Sequence, residues 1–410
     1  MTTHIGLVSQ SLSLDYLLNP VTAAEFLCAH WEKEPLLINR NDVEYYASLP
    51  GLDDIEELIT TTSTGMVRST QDVSAIRSDR NGTLSKLDIP LNANGIPDIQ
   101  GAYRAYSDGY TIVVNGVHRR SAAIAGLSRS LERTLHHPIG ANLYLTPLDG
   151  QGFSPHVDTH DVFILQLHGS KEWHVGSPST DLPLVSAGHG PLELTDFRKF
   201  TLNPGDTLYL PRGFPHEALT SNSSSLHLTI GIHAYRWLDF MVEALGVLAE
   251  EDIHFRKALP PGFLDSSLMA QVPELVNRLA ASLKKDFPTE RAKVRLAAKL
   301  LRKPMAAGSG HFRSLDLISS LTEESVVVRS SDLLCRVRAD SDEVLIEFAT
   351  NFVSGPLFLE STFKFVAEHE RFTVRELTGE LSTEDKIDIV SRLISEGLLQ
   401  CVERNQEGDK

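Results

Sequence analysis

The chain is poor in cysteine. Its 410 residues include three, Cys28, Cys335 and Cys401. So few, odd in number and far apart, they support neither a disulfide framework nor a C-x-x-C zinc pattern, and they suit a reducing compartment. Long apolar runs are missing too, since no stretch approaches the roughly 20 residues that cross a bilayer. The first residues, MTTHIGLVSQSLSLDYLLNP, lack the basic segment followed by an apolar one that marks a secretory leader. These absences predict a soluble, cytoplasmic protein with no membrane partner. Positive charge is the third shortage: 38 Lys and Arg stand against 54 Asp and Glu, a formal net charge of −16. A general nucleic-acid binder needs a basic surface to displace counterions, so direct nucleic-acid binding is not expected. A basic protein partner suits the balance, and so does solubility alone.

What is present is organised in blocks. The length predicts two or three domains. NPVTAAEFLCAHWEKEPLLINR reads as a helix and then a short strand, with Thr22 as N-cap and Glu25 closing a capping box. A second helix is expected around GLDDIEELITTT. Short β-type runs follow: GMVRST, AIRSDR, YTIVVNG and ANLYLTPL. The amphipathic helix SAAIAGLSRSLERTLHH interrupts them. From 153 to 235 strands dominate (VFILQL, KEWHVG, KFTLNPGD, TLYLPRG, SLHLTIGIHAY), punctuated by turn residues at short intervals, which predicts an antiparallel sandwich or barrel. From Trp237 to about Pro304 the pattern turns to amphipathic helices. The linker AAGSGHF leads into a mixed tail with a capped helix from Ser382 and a last strand.

The chemistry-bearing residues sit in the strand-rich block. His156 and Asp158 are two residues apart, and in a strand such positions share a face. Alone, an H-x-D triplet is weak evidence. Downstream, Gly205, Pro211 and His216 make a Gly-x5-Pro-x4-His spacing, in which two turns bracket the strand TLYL and deliver His216 to the start of the next strand. This is the second signature of cupin barrels. His156, Asp158 and His216 together form a two-histidine, one-carboxylate set, the facial triad of non-haem Fe(II) oxygenases. Ordinary cupins add a glutamate after an H-x-H; here Asp158 replaces the second histidine, and Val162 and Phe163 stand where the glutamate would fall. The three positions left open suit a chelating 2-oxo acid and O2. Lys171 follows Asp158 by thirteen residues, just past a Gly169-Ser170 turn. It is a solvated turn lysine or, given the triad, the cation that a dianionic cosubstrate needs at its far end.

YTIVVNGVHRR, ANLYLTPLDGQGFSPHVDTHDVFILQLHGSKEWHV and GDTLYLPRGFPHEA together resemble the cupin-type Jumonji-C (JmjC) oxygenases of the ribosomal-oxygenase family, which hydroxylate Arg or His in ribosomal proteins. The resemblance implies a mixed α and β protein. It would have a double-stranded β-helix (cupin, jelly-roll) JmjC core at about 95–236 within a catalytic domain of 1–236. A helical dimerisation region at 237–305 and a winged-helix-like domain at 306–410 would follow. It implies His156, Asp158 and His216 as ligands to Fe(II), with Lys171 on 2-oxoglutarate. Asn142, Tyr144 and Thr229 would line the cosubstrate pocket. It also implies a homodimer and a protein or peptide substrate, with a β-carbon of Arg or His as the target.

Two other readings stay open at this point. The substrate could be a natural-product precursor peptide. The chain could also be a non-enzymatic cupin regulator that senses a ligand, although the acidic balance and the acidic helix STEDKIDIVSRLISEGLL oppose DNA binding. His160, His168 and His174 read as structural or solvated, and His227 as inward-facing. Asn115, His118 and Arg119 match a motif of the family without an evident physical role.

Overall fold

The structure is a computed structural model. It describes residues 12–61, 72–78, 83–178, 180–184, 192, 194–220, 222–264, 272–301, 310–329, 333–349 and 351–402. The run GMVRST lies outside them, as do the start of the AAGSGHF linker and the residues after Val402. The chain divides into two compact units, with the main boundary in sequence between Ala234 and Tyr235.

The first unit begins with helices α1 (Leu14–Leu18) and α2 (Ala23–Ala29). The expected capping box of α2 is present, with Thr22 Oγ1 accepting from Glu25 N and a Glu25 carboxylate oxygen accepting from Thr22 N. Strand β1 (Leu36–Ile38) and helix α3 (Ile55–Thr60) follow. Then come β2 (Val73–Ser78), β3 (Leu84–Asp88), helix α4 (Ile99–Ser107), β4 (Thr111–Val114), helix α5 (Ala122–Leu135) and β5 (Ile139–Thr146). The strand-rich block supplies β6 (His156–Val157), β7 (Asp161–Gly169), β8 (Lys171–Gly176), β9 (Phe197–Leu202), β10 (Thr207–Leu210), β11 (Pro215–Leu219) and β12 (Ser225–Ile232).

These strands make two antiparallel sheets: an eight-stranded one in the order β1-β10-β7-β12-β5-β4-β2-β3 and a four-stranded one in the order β6-β11-β8-β9. From β5 to β12 the chain passes back and forth between the two sheets, with the β8–β9 hairpin kept within the small one, in the manner of a jelly roll. Strand β7 runs in the middle of the large sheet, and its two-residue period sorts its side chains. Phe163 and Leu165 face the core shared with Leu17, Phe26, Leu127 and Leu131 of the helices. Val162 and Ile164 face Trp173 and Val175 of the small sheet. A strand covered on both faces reads as a continuous apolar run, which is why VFILQL carries no alternation in sequence.

The second unit opens with helices α6 (Trp237–Glu251), α7 (Val272–Lys285) and α8 (Thr289–Leu301). Helices α6 and α8 are laced by ion pairs: Arg295 reaches Glu243 at 3.0 Å and Glu250 at 2.8 Å, and Lys299 also pairs with Glu243. Beyond them lie α9 (His311–Asp316), β13 (Val326–Arg329), β14 (Cys335–Ala339), β15 (Glu343–Phe348), β16 (Asn351–Pro356), α10 (Glu360–Glu368), β17 (Arg371–Thr373), α11 (Thr383–Ser395) and β18 (Leu399–Cys401). Strand β13 lies between β17 and β18, while β14, β15 and β16 form a separate antiparallel meander. One core, including Val327, Ile346, Phe363, Leu393 and Leu399, holds both sheets together with α9, α10 and α11. Ser382 caps α11 in a reciprocal box with Asp385. No disulfide joins the three cysteines. Among the described residues, no helix is long and apolar enough to cross a membrane.

Candidate active site

Strand β11 lies between β6 and β8, and its register sets His216 directly opposite His156. The two rings sit with centroids 4.4 Å apart. Each ring is oriented by its own backbone. His156 Nδ1 donates to Ser154 O at 3.0 Å and His216 Nδ1 donates to Phe214 O at 2.9 Å. A carbonyl only accepts, so both imidazoles carry the proton on Nδ1 and present the Nε2 lone pair. Asp158 lies just past β6, with its carboxylate oxygens 3.9 Å from His156 Nε2 and 3.8 Å from His216 Nε2. Ligand atoms about 2.0–2.2 Å from one ion lie up to about 4 Å apart, so these separations fit a shared divalent cation. Among the described residues, these three make the one group of His, Cys, Asp and Glu whose ligand atoms converge, all within 4.8 Å.

A buried clamp fixes the loop that delivers His216. Gly213 N donates to Asp158 O at 3.0 Å, tying one ligand's backbone to the other's turn. Gly213 holds φ at +95°, and a Cβ there would meet Pro183 and the Thr180 carbonyl at 2.9 Å, so glycine is required. Next to it, Arg212 donates from its backbone to Asp161 at 2.9 Å and from Nη1 at 2.6 Å, and also pairs with Glu32. Asp161 is fully buried. Burial lifts its carboxyl above the ordinary range, and Arg212 opposes that shift. The sequence reading did not single out Arg212. Its presence in PRGFPH was the available signal, but its partner lies 51 residues away.

All seven residues predicted for the site line one cavity of about 450 Å³. Lys171, at the start of β8, is 4% exposed and points inward, so it is not a solvated turn lysine. Its Nζ donates to Thr146 Oγ1 at 2.9 Å, and burial pushes its ammonium down to about 7. Asn142 and Tyr144 lie on β5, and in the β12 register they face Thr229 and His227 respectively. Asn142 Oδ1 accepts from Gly116 N at 2.9 Å, which turns its amide NH2 toward the Tyr144 hydroxyl. Burial, and then the nearby Asp158 charge, push the Tyr144 phenol up to about 12, so it stays a neutral donor.

The motif around Asn115, His118 and Arg119 acquires a role here. Gly116, at φ +60°, supplies the N–H that orients Asn142. His118 Nδ1 accepts from Ala141 N at 3.2 Å, and Arg119 and Arg120 pair with Asp72 at 3.6 and 3.1 Å. The turn therefore braces β5 at Ala141 and Asn142. Of the other histidines, His168 is exposed, and His174 is held by Glu217 at 3.0 Å and Glu172 at 2.6 Å. His160 lines the cavity, stacked on His233 at 5.0 Å, the structural of the two roles expected of it. Phe153 over His156 and Trp173 beside His216 add apolar walls.

A model of the JmjC domain matches residues 120–240. The bifunctional lysine-specific demethylase and histidyl-hydroxylase NO66 of Culex quinquefasciatus is 30% identical over 250 residues, 58% of this chain and 37% of the mosquito protein. Ribosomal oxygenase 2 of Mus musculus is 30% identical over 312 residues, 69% of this chain and 65% of the mouse protein. The matched region is thus less than two thirds of either relative's length. In fold, the chain resembles YcfD, a ribosomal oxygenase from Escherichia coli solved with cobalt and 2-oxoglutarate. The TM-score is 0.54 at 16% identity, covering 94% of this chain and 99% of YcfD. On fold, motif and sequence together, the chain is a JmjC-domain protein related to the ribosomal oxygenases.

Proposed function

We propose that this protein is an Fe(II)- and 2-oxoglutarate-dependent oxygenase that hydroxylates an amino-acid side chain, at the β-carbon of an Arg or His, in a ribosomal protein or another peptide. The observation that carries this reading is the convergence of His156, Asp158 and His216 in one cavity with a buried lysine. Those three residues would hold the iron. The chemistry supplied by bound iron, cosubstrate and O2 is oxidative decarboxylation of 2-oxoglutarate to succinate and CO2, coupled to hydroxylation of a C–H bond. The chain's own part is orientation and exclusion of water. Lys171 anchors the remote carboxylate, and Asn142, Tyr144 and Thr229 line the cosubstrate. Phe153, Val162, Ile164 and Trp173 wall the cavity with apolar surface. The cobalt and 2-oxoglutarate bound by YcfD support the choice of cofactor and cosubstrate.

A net charge of −16 suits a basic protein substrate. We place the protein in the cytoplasm on the cysteine argument. Residues 237–305 form the proposed dimerisation region, which the exposed apolar side chains of α6 support, and 306–410 the proposed winged-helix-like domain.

The test is succinate formation from 2-oxoglutarate with Fe(II), in the presence of ribosomal proteins from a deletion strain. Wild type is expected to form succinate and add one oxygen atom to a single Arg or His, read by mass spectrometry. His156→Ala should lose more than the roughly 10–100-fold typical of removing a residue that merely supports a ligand. Absence of turnover, together with iron binding that survives His156→Ala, would reject the reading.

A further inference from the structure

At the lysine end of the cavity stands a second nitrogen-bearing side chain to which the proposed reaction gives no part. His227 is 3% exposed and lines the same cavity as the triad. Its ring is clamped face to face on Tyr144, with centroids 4.9 Å apart and planes at 6°, and it meets the edge of Trp173 at 5.5 Å. Its Nδ1 is completely buried and has no hydrogen-bond partner among the described residues. Buried polar atoms are almost always paired in native proteins, so an unpaired one on the wall of a cavity marks a place where a ligand group is missing.

The surroundings of that ring select the kind of group. Thr146 lies two residues beyond Tyr144 on β5, and Lys171 Nζ is fixed to Thr146. The register opposes His227 to Tyr144, so the lysine head is displaced from the imidazole by about 7 Å along the strands. A carboxylate spans such a gap, with one oxygen on each donor. Among the described residues none does so: Asp158, committed to the triad, is the single carboxylate among the lining residues. Burial and the Lys171 charge hold His227 neutral, which keeps one N–H donor on the ring and adds no second buried cation. A purely packing role would be met as well by phenylalanine, which fills the same slot between Tyr144 and Trp173 without a polar atom to satisfy.

We propose that His227 is a cosubstrate-binding residue that, with Lys171, grips the remote carboxylate and so selects a 2-oxo dicarboxylate over a 2-oxo monocarboxylate. This rests on the oxygenase reading above and deepens it.

The experiment uses the full chain loaded with Mn(II), so that binding is measured without turnover. Two probes are titrated calorimetrically: 2-oxoglutarate, and 2-oxopentanoate, which has the same carbon chain but no remote carboxylate. His227→Phe keeps the aromatic stack and removes the nitrogens. It should weaken 2-oxoglutarate on the order of tenfold, as loss of a hydrogen bond to a charged group does, and leave 2-oxopentanoate unchanged. His227→Gln, which retains a donor, should recover part of that loss. Combined with Lys171→Met, His227→Phe should weaken 2-oxoglutarate by less than it does alone, because both act on one carboxylate. Equal weakening of both probes, or of neither, overturns the proposal and leaves the oxygenase reading standing. A wild type that binds 2-oxoglutarate no better than 2-oxopentanoate overturns both.

Discussion

Lys171 shows how the cavity is prepared for an anion at the expense of the empty protein. It is an amine inside the barrel that donates to one hydroxyl, and among the described residues it has no acid as an ion-pair partner. Burial lowers its folded pKa to about 7 from an ordinary 10.5. Between those values the unfolded chain binds the extra proton, so the ligand-free protein should gain stability as pH rises from about 7 toward 10, by a few kcal/mol at most. Lys171→Met should abolish that rise. It should also raise the thermal midpoint of the ligand-free protein near pH 7 while removing 2-oxoglutarate binding, the exchange of stability for function expected of a strained site. Thermal unfolding of both proteins from pH 6 to 9 checks this, and a variant no more stable than wild type at pH 7 counts against it. Binding of a carboxylate at Lys171 restores its charged form, so 2-oxoglutarate affinity should weaken as pH is raised above 7.

At the scale of elements, the loop from Pro211 to Pro215 carries the site, because it places His216 and is tied to both Asp158 and Asp161. Arg212→Met leaves the fully buried Asp161 carboxylate without its main partner. Breaking such a pair costs about 3–5 kcal/mol, whereas replacing both charges with apolar residues is often neutral. Urea unfolding should therefore show a large loss for Arg212→Met and a smaller one for the pair Asp161→Leu with Arg212→Met. Equal losses would mean that the clamp works through packing. This clamp also marks a limit of what the sequence conveys. The spacing of Gly205, Pro211 and His216 is local, and turns and strands encode it directly, so the ligand was legible. Arg212 depends on a partner across the sheet and on Glu32 far upstream, which no periodicity reports. Likewise, β6 ends at Val157, so Asp158 joins His156 through the loop geometry fixed by Gly213 as much as through strand alternation. The bracing role of Gly116 and His118 was hidden because a backbone N–H and a ring nitrogen perform it, and both depend on where β5 lies. Local sequence left His160 either structural or solvated; its place in the cavity wall depends on His233, 73 residues on, which stacks against it.

At the scale of the molecule, α6 has more apolar surface than its own unit covers. Glu243, Ala244, Val247 and Leu248 form its buried face, beside α8. Leu238, Met241, Val242 and Leu245 recur at i, i+3, i+4 and i+7 on a second stripe, all exposed, and Trp237 at the helix start is 83% exposed. A helix with one apolar stripe is complete against one neighbour; a helix with two needs another. Patches of this kind on soluble proteins mark interaction surfaces. A second copy of the chain is the occupant that best suits the proposed dimer, since a two-fold axis lets the same stripe meet itself. Changing Leu238 and Val242 to Glu places like charges at the centre of such a contact without touching the buried face. Light scattering should then show monomers at concentrations where wild type is dimeric, while the far-ultraviolet circular dichroism of the helices is kept. Because the triad, Lys171 and His227 all lie in the first unit and the stripe in the second, calorimetric 2-oxoglutarate affinity of the Mn(II) protein should stay within about threefold of wild type. A loss of cosubstrate affinity in step with the loss of dimer would show instead that pairing shapes the cavity.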